Sequence, residues 1–128
     1  MARYIQDRTE GVRPEAKRES ARFRAFFDYL RENPGFLRIL NEAEFAAPDA
    51  YRQHIENMAA PFQRILARAR DRGELADYSD AELETIVHIL MGARSYLSQR
   101  YGAAEAVEEH VFSAYARLLD QGLFRGER

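Results

Sequence analysis

The stretch Phe26-Phe27-Asp28-Tyr29-Leu30-Arg31-Glu32-Asn33-Pro34-Gly35-Phe36-Leu37-Arg38-Ile39-Leu40 holds the end of one apolar helix, a stop, and the start of a second. Just upstream, Phe23 joins Phe26, Phe27 and Leu30 at i, i+3, i+4 and i+7, the spacing that lines side chains along one face of an α-helix. Asn33-Pro34-Gly35 ends that helix, because a proline disfavours helical backbone at the residue before it and suits the first turn of the helix after it. Phe36, Leu37, Leu40 and Ala43 then take up the same spacing.

Outward from this stretch the punctuation stays helical. The first secure helix runs from about Pro14 to Arg31 and the second from about Pro34 to Phe45, where Pro48 breaks the pattern. A third and longest helix covers about 49 to 72, with Tyr51, Ile55, Met58, Phe62, Ile65, Leu66 and Ala69 on one face and Gly73 at the left-handed cap position. Ser79-Asp80-Ala81-Glu82 matches a capping box and opens a fourth helix that reaches about Tyr101. Gly102 separates it from a fifth, about 103 to 121, stopped by Gly122. No segment shows the strict alternation of a half-buried strand. The pattern predicts an all-α bundle of five helices in one domain over 14–124, preceded by a polar segment, 1–13, that is frayed or loosely helical.

Composition narrows the function classes. A chain of 128 residues suits one core, and 46% apolar with 31% charged residues is ordinary for a folded, surface-charged helical protein. Nothing approaches the roughly 18 apolar residues needed to span a bilayer, and the first ten residues lack the apolar run of a signal peptide, so no membrane association and a cytoplasmic location are expected. With no cysteine, disulfides, thiolate metal sites and thiol nucleophiles drop out together. Residues 1–24 carry seven Arg/Lys against four Asp/Glu, and the remainder 12 against 17, so a mildly basic head joins an acidic body. That balance does not supply the basic face of a nucleic-acid binder, and direct DNA binding by this chain alone is not expected.

Several residues stand out against that background. Pro61 falls near the middle of the third helix, where it removes one backbone bond and bends the axis, opening space beside Met58, Phe62 and Ile65. Arg94 projects close to the centre of the stripe formed by Leu83, Val87, Leu90 and Leu97. A charge there needs a partner: Glu42 or Glu44, another subunit, or an acidic ligand. Thr85, His88, Gly92, Tyr96 and Gln99 share the opposite side of the fourth helix, a mixed face with a small residue at its middle that suits close approach of another helix. His54, His88 and His110 are isolated on separate stretches, with no pair at metal-ligand spacing. Phosphate loops, nucleophile elbows and recognisable carboxylate pairs are likewise missing from the sequence, so no catalytic residue, metal or cofactor is expected.

In their order and spacing, four segments resemble the C-terminal ligand-binding half of a TetR-type transcriptional regulator. They are Phe27-Asp28-Tyr29-Leu30-Arg31-Glu32-Asn33-Pro34-Gly35, the Glu42-Ala43-Glu44-Phe45 to Pro48-Asp49-Ala50-Tyr51-Arg52 junction, Arg72-Gly73-Glu74-Leu75, and Met91-Gly92-Ala93-Arg94. The resemblance covers about residues 20–122. It implies a five-helix orthogonal or antiparallel bundle whose first four helices enclose a small apolar or acidic effector, with Phe27, Met58, Phe62 and Arg94 as contacts. It also implies that the last two helices pair across a homodimer axis, with His88, Gly92, Tyr96, Val111 and Tyr115 at the interface. Such regulators carry a DNA-reading helix-turn-helix of roughly 45 to 50 residues in front, and only about 20 residues precede the resemblance here, so this sequence is expected to supply the sensing half alone. The alternative is a helical homo- or heterodimerisation module with no small-molecule ligand.

Overall fold

A computed structural model describes residues 1–101 and 107–124. Those residues form six α-helices: α1 (Ala2–Thr9), α2 (Glu15–Glu32), α3 (Pro34–Ala46), α4 (Pro48–Asp71), α5 (Asp80–Tyr101) and α6 (Glu109–Gly122). No strand occurs among them, only an isolated antiparallel bridge between Leu75 and Phe124. Nor is any described helix long and apolar enough to cross a membrane.

The helix ends follow from local chemistry. Asn33 closes α2 by donating from both its backbone and side-chain nitrogens to the Tyr29 carbonyl, at 2.9 and 3.0 Å. Pro34 and Pro48 occupy the first turns of α3 and α4, where the missing N–H costs nothing. At the end of α4, Gly73 adopts φ 83°, which lets the Glu74 amide donate back to the Ala69 carbonyl and the Gly73 amide to that of Arg70, both at 2.9 Å. The capping box that opens α5 is reciprocal: Glu82 accepts from the Ser79 amide at 2.9 Å, and Ser79 Oγ accepts from the Glu82 amide at 3.1 Å. Arg70 fixes this corner by donating to Asp80 at 2.7 Å and to the Tyr78 carbonyl at 2.9 Å.

The sixth helix is α1, in the segment the sequence left as frayed or loosely helical. It is regular and packs along α2, with Tyr4 edge-on to Tyr29 at 5.3 Å and Arg8 within 3.5 Å of both Asp28 and Glu32. Gly11, at φ 78°, turns the chain back toward α2. The expected fifth helix starts later than the sequence indicates: α6 begins at Glu109, and residues 103–106 of the expected span lie outside the described residues.

Central to the fold, α2 packs against α1, α3 and α6, while α4 packs against α3 and α5. The core joins Phe23, Phe26, Phe27 and Leu30 of α2 to Leu66 and Ala69 of α4, Leu83, Val87 and Leu90 of α5, and Val111, Tyr115 and Leu119 of α6. Phe23 stacks face to face on Tyr115, ring centres 3.8 Å apart and planes 8° from parallel. In contrast, α3 contributes no fully buried residue and lies as a panel over α4.

Candidate functional site

The buried stripe of α2 does not stop at its aromatics. Toward the N-terminus it continues through Glu19 and Glu15, which are 0% and 5% exposed. Glu15, Arg18, Glu19 and Arg22 repeat at i, i+3, i+4 and i+7 the spacing of the four aromatic-stripe residues, so an ionic face extends the apolar one. A carboxylate as buried as Glu19 survives only if its lone pairs are occupied. They are: Arg94 Nη2 donates to both carboxylate oxygens at 2.9 and 2.7 Å, Tyr115 Oη donates at 2.6 Å, and Arg22 Nη1 lies at 3.5 Å. Arg22 also pairs with Glu15, whose backbone amide donates to Glu74 at 2.9 Å.

Charge and burial act against each other here. Burial alone would push the Arg94 guanidinium toward losing its proton, but Glu19, with Tyr115, outweighs that and holds its pKa above the ordinary value. Burial, then the Glu19 carboxylate, pushes the Tyr115 phenol far above its usual range against a smaller opposing pull from Arg94. Arg94 therefore stays cationic and Tyr115 stays a neutral donor. The partner of Arg94 is thus neither Glu42, which pairs with Arg38 at 3.0 Å, nor Glu44.

Beside this network a cavity of about 510 Å³ lies between α1, α2, α3, α4 and α5. Its aliphatic wall includes Leu37 and Leu40 of α3 and Ile55, Met58 and Ile65 of α4, and Ile5 and Thr9 border it from α1. Arg18, Arg22 and Arg94 also line it, and the Arg22 and Arg94 guanidiniums lie 6.0 and 5.4 Å from the Phe62 ring. Pro61 and Asn57 are lining residues too, so the cavity runs past the point where the proline deprives the Asn57 carbonyl of its helical donor. Buried nitrogens on four lining residues have no hydrogen-bond partner among the described residues: Arg18 Nε, Arg22 Nη2, Arg94 Nη1 and His54 Nε2.

Of the expected effector contacts, Met58, Phe62 and Arg94 come together on this cavity. Phe27 does not, and its expected place is corrected: at 3% exposure it is held edge-to-face against Phe23, Phe26 and Phe112 in the core, and Phe26 faces the cavity instead. Of the expected interface residues, His88, Gly92 and Tyr96 share an exposed side of α5 with Ile89, and Leu118 of α6 is also exposed. Val111 and Tyr115 are corrected as well. Both are buried in the chain's own core, because the inward face of α6 is the one that meets Phe23 and Glu19. Glu19, Arg18 and Arg22 were missed in the sequence, although their i, i+3, i+4, i+7 spacing with Glu15 was visible. No protein-family model matches this chain, and no curated protein matches it as a relative.

Proposed function

We propose that this chain is the effector-binding and dimerisation domain of a TetR-like transcriptional regulator, and that it senses a small molecule in the cavity beside α4. The observation that carries the proposal is the cavity itself. Its size and its mainly aliphatic wall with a few charged groups match the make-up of sites that bury a small ligand. In the full regulatory assembly the ligand would act by binding one arrangement of the helices better than another. Met58 and Phe62 would contact its apolar part and Arg94 its polar part.

Dimerisation would use the outward side of α5, where Ile89 and Tyr96 are 62% and 69% exposed around Gly92, together with Leu118 of α6, 71% exposed. An exposed apolar helix face can be covered by a partner, and the occupant proposed is a second copy of the chain. The same face supports the alternative of a dimerisation module without a ligand; the cavity favours the sensor. Native mass spectrometry of the purified chain, followed by denaturing extraction, tests both parts. A dimer carrying a discrete small molecule is the expected result, and a monomer without cargo would refute the proposal.

A further inference from the structure

Three of the four unpaired nitrogens around the cavity, those of the arginines, share one chemical property. Guanidinium N–H groups only donate, so what Arg18, Arg22 and Arg94 lack is an acceptor. Their charges are also incompletely matched. Arg22 and Arg94 are paired with Glu15 and Glu19, whereas Arg18 pairs with no carboxylate among the described residues, so three cations face two buried anions. Glu44 borders the cavity too, but from an exposed position where water screens it. The cluster thus carries a net charge of about +1.

We propose that the cavity takes a monocarboxylate on an apolar body, with the carboxylate accepting from Arg18, Arg22 and Arg94 and the body lying along Leu37, Leu40, Ile55, Met58 and Ile65. The proposal rests on the small-molecule reading of the same cavity and names the ligand's class. A carboxylate offers the two in-plane oxygens that suit guanidinium forks and supplies the one negative charge the cluster lacks. A cationic ligand would face three guanidiniums, and a dianion would leave a charge unmatched in an apolar setting. Phe62 helps to hold the donors in place, its ring lying beside both the Arg22 and the Arg94 guanidinium.

Arg18 gives the cleanest test, since removing it strips no buried carboxylate of its partner. Octanoate, 1-octanol and octylammonium are titrated calorimetrically into the full chain and into Arg18→Met, with circular dichroism melts as a check on folding. Octanoate is expected to bind one per chain, ahead of the other two probes, and Arg18→Met to weaken octanoate about ten- to a hundredfold while leaving octanol unchanged. If Arg18→Met does not fold, Arg18→Lys replaces it: retaining the charge but not the fork, it should weaken octanoate severalfold and octanol not at all. Octanol or octylammonium binding as tightly as octanoate would overturn the carboxylate assignment and leave the cavity as a ligand site. Failure of all three probes to bind at millimolar concentration would overturn both.

Discussion

Replacing Arg94 with methionine tests the energetics of the α2–α5–α6 junction directly. Methionine fills much of the same volume, so the change isolates the charge rather than opening a void. Glu19 is 0% exposed and accepts from Arg94 at 2.9 and 2.7 Å. Without those donors it retains Tyr115 at 2.6 Å and Arg22 at 3.5 Å. Removing one partner of a buried ion pair costs about 3–5 kcal/mol, and the two surviving contacts place this case near the lower end, at about 3 kcal/mol. Against a total stability of about 5–15 kcal/mol, that loss is plainly visible as an earlier urea midpoint. The companion variant Glu19→Gln/Arg94→Met removes the stranded charge and should recover part of the loss, so that a double-mutant cycle gives a favourable coupling. An Arg94→Met chain within about 0.5 kcal/mol of the parent would refute the argument, since Glu19 would then not depend on its guanidinium.

Gly92→Leu should leave the melting curve of the isolated fold nearly unchanged, because a Cβ built at Gly92 meets no atom within 4 Å; light scattering should show the proposed dimer lost. Raising the pH should destabilise the chain. The folded state holds the Tyr115 proton where the unfolded chain, with an ordinary value of 10.0, would release it, so this contribution is complete below pH 10 and is lost as pH rises beyond it. Tyr4 is shifted the same way, by burial and by Glu32, so Tyr115→Phe should shallow the alkaline limb of a stability–pH curve without abolishing it. Ser79→Ala removes the hydroxyl oxygen that accepts from the Glu82 amide and should cost about 1 kcal/mol in urea melts, with the fold intact.

The parts of the fold that were legible in the sequence were those specified by local chemistry. Pro34, Pro48, Gly73 and the Ser79–Glu82 box act over a few residues, and each helix boundary they mark lies within a residue or two of its expected position. The α1 helix was not secured in advance because what orders it lies elsewhere in the chain: Tyr4 needs Tyr29, and Arg8 needs Asp28 and Glu32. A helical stripe fixes a face only to within about one residue, which is why Phe27 was expected where Phe26 lies. The apolar spacing of α6 could not say which side would turn inward, and so Val111 and Tyr115 were assigned to a partner. Arg94 was readable as an anomaly, but its partner was sought among carboxylates nearer in sequence. Glu19 lies 75 positions away, where no local spacing links it to Arg94.

The panel formed by α3 separates two kinds of mutational pressure. None of its residues is fully buried, yet Leu40, Asn41 and Glu44 border the cavity. If the cavity binds a small molecule as proposed, those positions are free to change what it accepts while the Phe23–Tyr115 stack and the Glu19 network, which hold the fold, remain untouched. On that proposed reading the protein could drift from one ligand to another through single substitutions without first acquiring spare stability, and a designer seeking a new specificity would begin on the same helix.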